Sequence, residues 1–175
     1  MNSTSLEAQG LEEVELNSAW MDKIRELAPD KPAVKPEKIP RILVFTLSTG
    51  YQHWVVPHVT AMMEILSDKT GAFVMDQNAD IQVFEDLEEY DAVMLNNNCS
   101  AGERRDLFWD ELGKDKDLTD KEREKKAARL EKNLIRFVKR GGGLMVVHGA
   151  IVMQNNSLEF SKMVGGSFDY HPVQQ

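Results

Sequence analysis

Imidazole is the side chain that both gives and takes a proton near neutrality, because its ordinary titration falls near ~6.5. The chain carries four histidines, at 53, 58, 148 and 171. His53 follows "RILVFTLSTGYQ", His148 closes "GGGLMVVH" and His171 follows "GGSFDY". Between them, "YDAVML" runs into Asn96, Asn97, Asn98 and Cys99. Imidazoles that converge can serve as general acid and general base on a hydroxyl or carbonyl, or can ligate a divalent metal that polarises one.

Each of these residues also has a plain structural reading. A single loop histidine is most often a hydrogen-bonding surface or core residue, and His58, inside a helical pattern, is assigned to that class. An asparagine run can be a turn that satisfies its own backbone. Cys99 reads as a small buried hydrophobe rather than a nucleophile, since no base is fixed beside it in sequence. The glycines at 141–143 end a helix and turn tightly into a strand; no helix starts directly after them, so they do not read as a phosphate loop. No G-x-G-x-x-G, P-loop or H-E-x-x-H pattern occurs. His53 and His148 stand apart from the plain reading because both follow strong strand patterns.

The elements that must position these residues are legible from periodicity. "RILVFTL" (41–47) and "YDAVMLNNN" (90–98) are continuous apolar runs of the kind buried on both faces of a parallel sheet, as is "GLMVVH" (143–148). "GAFVMDQ" (71–77) is a weaker strand, and "IQVFEDL" fits either a strand or a helix. Val55, Val59, Met62, Met63 and Leu66 share one helical face, with Pro57 tolerated in the first turn. A short helix is expected within 103–113. A longer one starts at Thr119, which makes a capping box with Glu122, and ends at Gly141. Ala127, Leu130, Leu134, Phe137 and Val138 form its core stripe.

Strands alternating with helices give an α/β fold: a flavodoxin-like three-layer α/β/α sandwich with a mostly parallel sheet. Ligands of such sheets bind beyond the carboxyl ends of the strands, where His53, the Asn96–Cys99 run and His148 all fall. Residues 1–40 form an arm and linker outside this domain, which spans 41–175. In the arm, Leu16, Trp20, Ile24 and Leu27 share a helical face, and Pro29, Pro32, Pro36 and Pro40 then impose an extended linker. A loosely held extension and a segment packed on the domain or a partner both fit the arm.

Composition narrows the class further. At 175 residues there is room for one domain with a proper core and not for two large ones. A net charge of -8 with no sustained basic patch argues against a nucleic-acid surface; the Lys and Arg between 114 and 132 are interleaved with acids, as on a solvated helix. No apolar stretch is long enough to span a bilayer and no secretory signal is visible, so no membrane partner is expected. A lone cysteine forms no internal disulfide. A cytoplasmic location is the expectation, with homo-oligomerisation left open.

"RILVFTLSTGYQHWVVPHV", "YDAVMLNNN", "GGGLMVVHGA" and "FSKMVGGSFDYHPVQQ" resemble, in that order, the recurring blocks of the trehalose-utilisation (ThuA-like) family, over about residues 41–175. The pairing of a GG-x-x-x-x-H-x-A block with a later G-x-x-F-x-x-H-P block carries the likeness. The resemblance implies a class I glutamine amidotransferase-like fold. It matches His53, His148 and His171 to the family's recurrent histidines, as catalytic residues or ligands of a divalent metal. It implies a sugar as small-molecule partner, with Asn96, Asn97 and Asn98 on its hydroxyls and Asp169 orienting an imidazole. Family members are linked to disaccharide and keto-sugar metabolism, so a hydrolase, lyase or isomerase is implied, with a non-catalytic sugar-binding or assembly domain as the alternative. In the amidotransferases a cysteine nucleophile occupies the turn where His148 stands here, so glutaminase activity is not expected. Family domains also continue past the His-Pro block, which reads as a domain truncated at its C-terminus.

Overall fold

A computed structural model of the chain describes residues 13–170. Its first helix, α1 (Ser18–Leu27), is capped by Asn17, whose side chain accepts the Trp20 N–H at 3.0 Å. No residue of α1 is buried. The helix rests on α2 (Val56–Thr70) through the Trp20 ring, edge-on to His58 at 5.0 Å. Lys69 of α2 donates to the carbonyls of Arg25 and Ala28 at 2.5 and 2.6 Å, which satisfies the free end of α1. Of the two readings of the arm, residues 18–27 follow the second and pack on the domain.

Four parallel strands form one sheet: β1 (Arg41–Phe45), β2 (Val74–Asn78), β3 (Ala92–Asn96) and β4 (Gly143–Val147), in the order β2-β1-β3-β4. The ambiguous apolar run resolves into a 3-10 turn, Ile81–Glu85, which turns Ile81 and Phe84 into the core. α3 (Leu107–Leu112) and α4 (Asp120–Lys139) join β3 to β4, and α5 (Leu158–Val164) follows a second 3-10 turn, His148–Val152. The capping box expected at Thr119 and Glu122 is formed in both directions.

Two apolar layers hold helices to the two sheet faces, the expected three-layer flavodoxin-like sandwich. Leu130, Leu134 and Phe137 of α4 pack with Leu43, Phe45, Val93 and Leu95 of the strands. On the opposite face Met63 of α2 meets Val44 and Met94, flanked by Val59 and Leu66. β4 departs from expectation. It is an edge of the described sheet, and Met145 is 53% exposed, because nothing pairs with its outer side among the described residues and α2 covers the centre. Among those residues no helix is long and apolar enough to cross a membrane.

Because the chain steps from β1 out to β2 and then back across to β3, the sheet has its switch point between β1 and β3. Loops from the carboxyl ends of those two strands diverge there and leave a crevice. The core next to the end of β1 is closely packed: Phe84 has no exposed surface, and its ring meets Phe45 at 4.8 Å and Phe108 at 5.0 Å, both edge-on. Truncation by Phe84→Ala should therefore cost about 3–5 kcal/mol, read as a lower urea midpoint at unchanged slope.

Candidate functional site

β1 ends at Phe45, and its exit loop is tied to the loop that leaves β3. The Cys99 carbonyl accepts the N–H groups of Thr49 and Gly50, each at 2.9 Å, and Ser48 Oγ donates to the Asn97 carbonyl at 2.8 Å. The Thr49 hydroxyl and the Ala101 N–H both donate to one carboxylate oxygen of Asp110, at 2.7 and 2.8 Å. The β4 exit joins the same net, since the Asn97 N–H donates to the Val147 carbonyl at 3.3 Å and Ser100 Oγ to the Val152 carbonyl at 2.7 Å. Three strand ends are thus fixed relative to one another, which is what a site assembled from separate loops requires.

His53 and His148 meet on this frame. Their ring centroids are 4.7 Å apart, with the planes near perpendicular at 74°. His53 lies in the loop before α2 and is half-buried; His148 sits at the tip of β4 and is exposed. The His148 backbone has φ 45°, in the left-handed region that costs a residue with a side chain roughly 1–2 kcal/mol. That twist turns the strand abruptly into the following 3-10 turn and projects the imidazole from the rim. Tyr51 continues the series, its ring 4.7 Å from that of His53. His58 takes the structural part assigned to it: it is buried, with Nδ1 3.3 Å from the Trp54 carbonyl.

The three asparagine side chains are held inside the protein. Asn96, Asn97 and Asn98 have no exposed surface. The Asn96 amide donates to the Val56 carbonyl at 3.0 Å and Thr60 Oγ1 at 3.2 Å, and its oxygen accepts from the Asn97 amide at 2.8 Å. Asn98 donates to the carbonyls of Phe45 and Leu47 at 3.1 and 2.7 Å, the groups left over where β1 quits the sheet. These side chains brace the start of α2 and the point where β1 leaves the sheet. Asp169 is exposed, and its main-chain carbonyl accepts from Arg105 at 3.0 Å. His171 lies outside the described residues. No group of three or more histidine, cysteine, aspartate or glutamate side chains is arranged to hold a metal among those residues; His53 and His148 alone supply two imidazoles.

Cys99 matches the buried-hydrophobe reading in one respect and exceeds it in another. It is buried, and desolvation pushes its thiol above the ordinary cysteine range, so it stays protonated at neutral pH. Yet it lies against Gly149, the residue after His148, its sulfur 3.5 Å from that carbonyl. Thr49, Asp110 and Gly149 were not singled out from sequence. The first two are joined across 61 residues with no local signal. Gly149 had one, its place directly after His148.

A family model described as ThuA, trehalose utilisation, matches residues 41–175, which takes in all four strands and both histidines of the pair. No curated protein and no solved structure matches the chain.

Gly149 leaves the room in which Cys99 and His53 pack over the turn after β4. A Cβ at this position would lie 2.6 Å from Cys99 Sγ and 2.8 Å from His53 Nε2, both far inside contact distance. The missing side chain leaves that space to the thiol and the imidazole. Gly149→Ala should cost about 1–3 kcal/mol in a thermal or urea melt through overpacking, and should shift the His53 ring resonances. Adding Cys99→Ala should return part of the lost stability, because it removes one of the two collisions; a Gly149→Ala protein as stable as wild type would show that the gap is not needed.

Proposed function

Because the chain belongs to the ThuA, or trehalose-utilisation, family, we propose that it is an enzyme of carbohydrate metabolism whose reacting groups are the imidazoles of His53 and His148. The observation that carries this reading is the pair itself: two imidazoles 4.7 Å apart at the carboxyl ends of β1 and β4, beside the switch point. One neutral imidazole takes a proton from a sugar hydroxyl, or from the carbon beside a sugar carbonyl. The other, protonated, gives one to the oxygen that gains charge. Both states are populated near neutrality for an ordinary imidazole, and the two transfers leave the pair with the same total number of protons. A hydrolase, lyase or isomerase acting on a disaccharide or keto-sugar would use this arrangement. His171 joins the proposed set on its place in the family pattern.

Glutaminase chemistry is left out of the proposal. It would need a thiolate at the turn after β4, where His148 stands, and the buried, protonated Cys99 lies on the β3 loop.

The test is turnover of keto-disaccharides by wild type and His148→Ala, after metal analysis of the purified protein. His148→Ala, folded by circular dichroism, should lose about a hundredfold to ten-thousandfold in kcat. Unchanged turnover would remove His148 from the reaction. A sugar that binds the wild type and is never converted would make the chain a non-catalytic sugar-binding domain.

A further inference from the structure

We propose that Tyr51 is the platform on which a sugar ring stacks as it enters the histidine pair, an inference that rests on the carbohydrate reading above. Tyr51 is 57% exposed and stands beside the candidate site. A lone exposed aromatic on a loop is ordinary, but two features distinguish this one.

First, the ring is contiguous with the pair. Tyr51 meets His53 at 4.7 Å and 71°, and His53 meets His148 at 4.7 Å and 74°, so three rings run in series from solvent to the tip of β4. Second, the loop beneath it is fixed. The Gly50 N–H is held by the Cys99 carbonyl at 2.9 Å, and Gln52 Nε2 donates to the Ser48 carbonyl at 2.9 Å. Gly50 packs directly on neighbouring main chain: a Cβ there would collide with the Ser100 carbonyl. Tyrosine held in this way offers rigid contact area at little entropic cost on binding.

The chemistry of the partner follows. A pyranose is apolar on its C–H faces and polar around its rim. Its weakly positive C–H groups suit the negative face of an aromatic ring, while its rim hydroxyls stay free to meet imidazoles. An open-chain polyol has the same hydroxyls without a rigid C–H face, and gains little from such a platform.

Wild type, Tyr51→Phe and Tyr51→Ala would be titrated with trehalose, maltose and open-chain glucitol by calorimetry, with the His53 and His148 ring resonances followed by NMR. The disaccharides should bind Tyr51→Phe within about twofold of wild type and Tyr51→Ala about tenfold more weakly, while glucitol should bind all three proteins alike and weakly. Disaccharide binding that moves the imidazole resonances but that Tyr51→Ala leaves unchanged would overturn the platform alone; binding that moves neither imidazole would overturn the histidine-pair reading and the platform with it. Failure of the wild type to bind either disaccharide or the keto-disaccharides of the turnover test would overturn the carbohydrate reading and the platform with it.

Discussion

One acceptor fastens the functional end of this molecule. The Cys99 carbonyl takes the N–H groups of both Thr49 and Gly50 at 2.9 Å, and in doing so binds the loop leaving β1 to the loop leaving β3. In an open parallel sheet those two loops part at the switch point, and left alone they would splay. Here they are stitched at several further points, by Ser48, by Asn98 and by the Asp110 carboxylate. Backbone groups freed at the strand ends would otherwise be buried unpaired, each at a cost of about 1–3 kcal/mol. The net that satisfies them is also what sets where His53 stands.

β4 supplies the other half by a different device. Its tip is strained, with His148 at φ 45°, and the strain persists because the buried Gly149 and Ala150 seat the next turn against the β3 loop. Strained backbone held by its surroundings is a recurrent feature of functional sites. Only glycine at 149 lets Cys99 and His53 close over that turn. A hydrogen-bonded hinge on one side and a gap on the other bring the imidazoles to 4.7 Å.

Much of this frame was legible in the sequence, because most elements announce themselves locally. β1 and β3 are buried on both faces and read as unbroken apolar runs; α4 carries a capping box and a regular stripe. What was misread depends on neighbours rather than on the residues themselves. "GLMVV" has the composition of a central strand, yet burial belongs to a strand's surroundings, and β4 lies at the edge of the described sheet with Met145 exposed. The polarity of Asn96 to Asn98 is visible in sequence, but their complete burial is not. His53 and His148 stand out in the sequence by their place after strands, a rule of topology. That Cys99 lies against the turn after His148 was invisible, because the Gly149 carbonyl it touches is 50 residues away along the chain.

The central claim is that His53 and His148 together face a sugar at the strand ends. A crystal structure of the chain with a bound disaccharide tests it most directly. The sugar is expected at the carboxyl ends of β1 and β4, with both imidazoles within hydrogen-bonding reach of its oxygens. A sugar seated elsewhere, such as the groove beside α4 lined by Glu131, Arg136 and Lys139, or one that touches neither imidazole, would contradict it.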